Sequence, residues 1–257
     1  MDLFERMTQP MADVLYSVVL GLIAGLIPVY LGLLPLPFFR RLSGSKRNLL
    51  LSFSIGILLF LFADVTEEGV ELSRQVSYGS LLFTAGLIVG VAVPFLVSSR
   101  RHHFTESSVQ PDIAAKSLTA YIISFAIGLH NLGEGLALGA AYAAGQLALT
   151  TILVVGFALH NGTEGIAISG PVSDIPVRLR EPAFMGFLAG FPTVIGSVIG
   201  SLLYSDLAGA LFFSMASGAL IYVVVELLRR AHPSKGTLAG LLVGILLMYF
   251  TDLLLSV

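Results

Sequence analysis

The 257-residue sequence contains no cysteine and few charged residues, and each shortage excludes a class of protein. Without cysteine there can be no disulfide bond, iron–sulfur cluster or thiolate metal site, so a bound metal would need His, carboxylate, amide or Met ligands. Charged residues make up 12% of the chain, whereas a soluble domain has about 25%. No run of Lys and Arg is long enough to follow a nucleic-acid backbone. Most of the surface is therefore expected to face the lipid bilayer.

Eight apolar stretches are long enough to cross a bilayer, which requires about 20 mostly apolar residues. No basic region precedes the first of them, so we expect a retained membrane span rather than a cleaved signal peptide. The remaining chain has little room for anything else. We predict an all-α fold, a polytopic membrane helical bundle with eight transmembrane helices, as a single domain over residues 1–257. The predicted spans are 12–36, 48–66, 78–98, 117–142, 146–170, 182–204, 207–228 and 236–256.

The basic residues lie mostly on one side of the predicted bundle. The loops after the first, third, fifth and seventh spans hold nearly all of the 14 Lys and Arg. Because cytoplasmic loops of membrane proteins carry an excess of these residues, we expect these loops in the cytoplasm and both termini outside. The longest of them, loop 99–116, is then cytoplasmic, and the expected location is the plasma (inner) membrane.

Two related hexapeptides place polar residues inside apolar spans: HNLGEG at 130–135 and HNGTEG at 160–165. At about 100° per residue, the His, Asn and Glu of each motif lie on one face of a helix. The turn between the two spans is short, and Gly145 is equally distant in sequence from the two motif histidines. Both motifs are therefore expected at equal depth near the bilayer midplane, roughly 20 Å along each helix from the turn. We expect the glycines of these spans to let the two helices approach closely.

The two motifs together offer the ligands of a divalent cation. Imidazole nitrogen and carboxylate oxygen bind an ion such as zinc at about 2.0–2.2 Å, and two carboxylates with two neutral imidazoles cancel its charge. Asn131 and Asn161 could orient these ligands or add an oxygen. Alternatively, each His–Glu pair at i,i+4 is a buried hydrogen-bonded pair that holds helices together. We predict a metal site of His130, Glu134, His160 and Glu164.

The paired HNxxEG motifs on adjacent central spans of an eight-span chain resemble the ZIP family of divalent metal transporters, and ASGALIYVVVELL at 216–228 is similar to the family's seventh span. The resemblance implies no enzymatic activity and no cofactor, but uptake of a divalent metal into the cytoplasm: zinc first, with iron, manganese and cadmium also suited. It implies a homodimer in which a rigid group of helices slides against a scaffold. The four predicted ligands would hold the metal, with Asn131 and Asn161 available to a second, adjoining site.

One departure from the family pattern bears on the number of metals. Many relatives carry a carboxylate in the sixth span, where this chain has Thr193. Two divalent ions would bring a charge of +4 to a site whose two glutamates supply −2, and uncompensated charge in a low-dielectric interior is costly. We therefore expect one tightly bound metal.

Further carboxylates lie near the ends of two other spans. Asp64 and Glu68 belong to an acidic group that closes the second span on its outer side and would concentrate cations. A solvated helix end is the alternative for the outermost members of this group, whereas the deeper Asp64 favours a role in the pathway. Glu226, by the resemblance a recurrent carboxylate of the seventh span, lies near the cytoplasmic end. It could form part of an exit route or pair with Arg229 or Arg230.

Two kinds of enzyme are alternatives to a transporter. An intramembrane metal-dependent hydrolase, the main alternative, needs an open metal position, an activated water and a base. However, no HExxH is present, and all four polar groups are used as ligands. A di-iron carboxylate enzyme favours ExxH spacing, whereas the motifs here are HxxxE.

Overall fold

The computed structural model describes residues 13–105, 111–203 and 205–253. These residues form helices and no strand, and eight of the helices are long and apolar enough to cross a membrane, so the predicted all-α fold and its eight spans are confirmed. The chain is thus a multi-pass membrane protein. The helices are α1 Asp13–Phe39, α2 Gly44–Gln75, α3 Gly79–Thr105, α4 Pro111–Ala143, α5 Leu147–Ser169, α6 Arg180–Leu202, α7 Asp206–Arg230 and α8 Lys235–Leu253.

Several helices extend beyond the predicted spans. The expected loop 99–116 is the clearest case, because α3 continues to Thr105 and α4 already begins at Pro111. Proline suits the first position of a helix, and Asp112 in the first turn pairs with Lys116 at 2.8 Å, which stabilises this start. The length of each apolar stretch therefore predicted the part of the helix that crosses the membrane, and not the whole helix. Of the predicted loop and spans, residues 12, 106–110, 204 and 254–256 lie outside the described residues.

Prolines interrupt the hydrogen-bond ladder of α1. The helix contains a π-helical segment, Leu22–Leu26, and then Pro28. Proline has no N–H to donate, so it leaves the carbonyl of Ala24, four residues earlier, without that helical partner. A second break at Leu34 and Pro35 turns the last residues of α1, Leu36–Phe39, into a short separate helical turn.

Close contacts between backbones join α4 to α6 and α5 to α1. A Cβ atom on Gly135 would overlap the carbonyl oxygen of Thr193 in α6, and one on Gly165 would overlap the carbonyl oxygen of Val29 in α1. Only glycine permits such an approach. We expected these glycines to bring α4 and α5 close to each other. This expectation is wrong, because the glycines instead bring α4 close to α6 and α5 close to α1. The hairpin helices are neighbours, but each packs most closely against a different third helix.

The eight helices form two groups. Helices α1, α4, α5 and α6, here called the motif bundle, pack mainly on one another, as do α2, α3, α7 and α8, here called the support bundle. The two bundles meet chiefly where α4 contacts α7 and α5 contacts α2. We call the end with the α1–α2, α3–α4, α5–α6 and α7–α8 connections the basic end, and the opposite one the acidic end.

Candidate metal centre

The two motif helices form an antiparallel hairpin. Helix α4 ends at Ala143 and α5 begins at Leu147, and Gly145 in the turn has a φ of 71°, a left-handed conformation that favours glycine. The turn lies midway between the motifs, so the hairpin sets them side by side at equal depth. All four predicted ligands are buried in the bundle.

The ligand atoms of the two motifs lie at distances that suit one small cation. The Nε2 atom of His130 is 3.2 Å from Oε1 of Glu134 and 3.9 Å from Oε1 of Glu164, and Nε2 of His160 is 3.5 Å from the same Glu164 oxygen. In a tetrahedral zinc site with bonds of about 2.0–2.1 Å, neighbouring ligand atoms are about 3.3 Å apart. These three separations are close to the edges of such a tetrahedron, whereas no His160–Glu134 contact within 4.0 Å is present among the described residues.

The motif asparagines link the two helices in a reciprocal arrangement. The amide of Asn131 in α4 donates to Oε2 of Glu164 in α5 at 3.1 Å, and the amide of Asn161 in α5 donates to Oε2 of Glu134 in α4, also at 3.1 Å. Each amide also donates to a backbone carbonyl outside the hairpin. Asn131 bonds Ala189 of α6 at 3.1 Å, and Asn161 bonds Ala24 of α1 at 2.9 Å. The Ala24 carbonyl is the one that Pro28 leaves without its helical partner.

The imidazoles remain available to a ligand. Within the described chain, none of the four ring nitrogens of His130 and His160 makes a hydrogen bond of ordinary geometry. Buried polar atoms in proteins almost always have such a partner, and exceptions call for an explanation. In the alternative, in which each His–Glu pair is only a structural hydrogen bond, Nε2 of His130 and His160 would bond the glutamates at 3.2 and 3.5 Å. Neither this alternative nor a bound cation gives the two Nδ1 atoms a partner among the described residues.

A carboxylate from the support bundle lies next to the motif histidines. Asp64 of α2, His130 and His160 each offer one ligand atom, and these atoms all lie within 4.8 Å of one another. The three side chains line a cavity of about 210 Å³ together with Glu68 and Asp252. Asp64 and Glu68, inferred from sequence as pathway residues, thus lie in a cavity that joins the motif histidines to the acidic ends of α2 and α8.

Asp252 was missed by the sequence reasoning. It lies within the predicted last span, and an intramembrane carboxylate is itself a sign of function. Glu226, in contrast, is not part of the centre. Its carboxylate lies 2.8 Å from the guanidinium of Arg230 and 3.9 Å from that of Arg229 at the basic end, so the structure shows the pairing that was one of its two expected roles.

Comparison with known proteins identifies the family. Residues 96–252, more than half of the chain and including both motifs, match the family described as ZIP zinc transporter. The zinc transporter ZIPB of Bordetella bronchiseptica is 27% identical over 247 residues, which cover 91% of this chain and 80% of that protein. The zinc transporter ZupT of Escherichia coli K12 is 27% identical over 238 residues, 85% of this chain and 91% of that protein. The chain therefore belongs to the ZIP family of zinc transporters.

Proposed function

We propose that the protein carries a divalent cation, zinc first, across the membrane into the cytoplasm, with the cation held in transit by the four motif ligands. The observation that carries this proposal is the burial of two imidazoles and two carboxylates on one hairpin, with three His–Glu separations between 3.2 and 3.9 Å. A dication paired with two carboxylates leaves no net charge in the low-dielectric interior. Membership of the ZIP family supports the same activity.

The cation enters from the acidic end. Three carboxylates, Asp64, Glu68 and Asp252, line the cavity that leads to His130 and His160 and raise the local cation concentration. Glu164 is fully buried and is not among the residues that line this cavity. Glu134 lines the cavity with Asp64 and the two imidazoles. We propose that these four groups receive the cation first, and that it then moves deeper to Glu164.

The hairpin holds one tight cation. One oxygen of each motif glutamate already accepts a hydrogen bond from an asparagine amide, so one oxygen of each remains for metal. We propose that Asn131 and Asn161 position the carboxylates rather than bind a second metal.

Release requires a change of shape, because the described path does not continue to the basic end. A second cavity of about 360 Å³ opens there, lined by Arg47, Lys116 and Asp174 among others, and it shares no described lining residue with the first. Beyond Glu164, α5 continues through the fully buried Ala167 and Ile168. We propose that the motif bundle slides against the support bundle to connect the metal centre with this second cavity.

The orientation and assembly are also proposals. The excess of Lys and Arg supports a cytoplasmic basic end and external termini, in a plasma (inner) membrane. Helices α3 and α8 are the least buried of the eight, which leaves an apolar surface for a homodimer. Cysteine labelling tests the orientation in this cysteine-free chain. Ser45→Cys should react with an impermeant reagent from the cytoplasmic side alone, and Ser77→Cys from outside alone. Labelling of both from one side would contradict the orientation.

Zinc flux into liposomes that contain the purified protein tests the function itself. We expect flux down a zinc gradient, its loss in Glu164→Ala, and its retention in Glu71→Ala, the same change at an exposed residue that pairs with Arg74. Competition by iron, manganese and cadmium then ranks the metals. Substrate turnover without flux would instead favour the intramembrane hydrolase.

A further inference from the structure

An apolar groove of about 380 Å³ lies at the basic end, between the end of α1 and the start of α6. Leu33, Leu34 and Leu36 form one side, and Leu179 and Ala183 form the other. Leu34 and Leu179 have 69% and 87% of their surface exposed, so the groove opens outward and not into the helix bundle. The outer surface of a membrane-spanning bundle at this level meets lipid, and we therefore asked which lipid the groove fits.

The described residues that line the groove include an arginine without a carboxylate partner. This residue is Arg40, and within the described chain no carboxylate pairs with the Arg40 guanidinium. Arg178 and Arg180 flank Leu179 in sequence, and their guanidinium groups have no carboxylate partner among the described residues either. The neighbouring Glu181 carboxylate accepts a hydrogen bond from the backbone N–H of Arg178 at 2.9 Å. Among the described residues that line the groove, Arg40 is thus the charged one, and its charge is positive.

We infer that this groove is a binding site for an anionic phospholipid, with an acyl chain between α1 and α6 and the phosphate at Arg40. The apolar walls match the chain, since buried apolar surface drives such contacts. The arginines match the negative headgroup, because basic residues at the membrane surface attract anionic lipids. The acyl chain of a zwitterionic lipid fits between the same walls. However, its headgroup has no net negative charge to neutralise the arginines. The inference does not depend on the proposed transport function.

Bound lipid would hold α1 against α6 next to the metal centre. The hydroxyl of Tyr30 donates to the carbonyl of Ala183 at 2.7 Å and joins the two helices beside the groove. Ala24 and Ala189, whose carbonyls accept from the motif asparagines, lie on the same two helices, roughly 9 Å further along each. The site therefore bridges the two helices that orient the asparagines.

Native mass spectrometry of the full-length protein, mixed with equal amounts of phosphatidylglycerol and phosphatidylcholine, tests the inference. We expect preferential retention of phosphatidylglycerol. Arg40→Gln should weaken it about fivefold, because one basic residue near the surface contributes about 1 kcal/mol. Lys46→Gln is the matched control: it removes the same charge from an exposed position at the basic end that does not line the groove. Ala183→Trp should reduce retention of both lipids, since it fills the groove.

A fluorescence measurement checks the position of the acyl chain. The chain has no tryptophan, so Leu34→Trp introduces a single tryptophan at an exposed groove position, and its emission can be excited selectively over that of the tyrosines. Phosphatidylglycerol with brominated chains should quench it more strongly than brominated phosphatidylcholine, and Arg40→Gln should reduce the difference. Equal retention of the two lipids by the native protein, equal losses in Arg40→Gln and Lys46→Gln, or quenching that does not distinguish the headgroups would each overturn the inference.

Discussion

Replacement of Asp64 by Asn tests whether the support bundle supplies a ligand to the metal centre. The change keeps the size of the side chain and one oxygen but removes the charge. Ligand atoms of Asp64, His130 and His160 lie within 4.8 Å of one another. A cation at the centre of that triangle is at most about 2.8 Å from each atom, close to the zinc bond length of about 2.0–2.2 Å.

The size of the effect follows from this distance. At an effective dielectric constant of about 20, a +2 ion and a carboxylate about 2.8 Å apart attract by roughly 12 kcal/mol, and dehydration offsets most of this. Removal of one partner from a charge pair shielded from water costs about 3–5 kcal/mol net. Asp64→Asn should therefore weaken zinc affinity by roughly 100-fold or more.

Glu68→Gln is the matched control. Glu68 lines the same cavity one helical turn closer to the acidic end, so its distance from the cation is about 8 Å. In water-like surroundings the attraction is then about 1 kcal/mol, or about fivefold in affinity, and salt screens it.

Titration calorimetry at low and high salt separates the two roles. A loss in Asp64→Asn that is no larger than in Glu68→Gln, and that vanishes at high salt, would show that Asp64 only attracts cations and is no ligand.

Three further predictions concern the hairpin. Asn131→Ala and Asn161→Ala should weaken zinc binding by similar factors, about 10–100-fold, because each amide positions one glutamate; calorimetric losses that differ by more than tenfold would argue against the reciprocal arrangement. Gly135→Ala should destabilise the protein by roughly 1–3 kcal/mol, because the added Cβ overlaps the Thr193 carbonyl. Gly162→Ala is its control, since the nearest atom to its added Cβ is 3.9 Å away, and equal shifts in thermal unfolding would contradict the packing. Finally, zinc affinity should fall at least about tenfold between pH 7.5 and 5, because a protonated imidazole cannot bind metal; constant affinity would count against histidine ligands.

Local features of the sequence were sufficient for the spans and for the depth of the motifs. A membrane helix must satisfy its backbone hydrogen bonds within itself, so an apolar stretch of sufficient length already implies a helix. Helical periodicity then places the His, Asn and Glu of each motif on one face, and the short turn around Gly145 sets both motifs at the same depth. The types of ligand follow from the residues present. None of these conclusions needs a contact between distant spans.

Contacts between distant spans were decided by the tertiary structure. In a membrane bundle, the faces that meet lipid and the faces that meet other helices are both apolar, so hydropathy does not reveal which helices pack together. For this reason the sequence did not show that Gly135 packs on α6 and Gly165 on α1, or that Asp252 joins Asp64 in one cavity. The composition of the chain established a membrane protein. Its two hexapeptide motifs then placed a buried His and Glu pair on each of two helices. The packing of α2 and α8 against that hairpin decided which further carboxylates reach it.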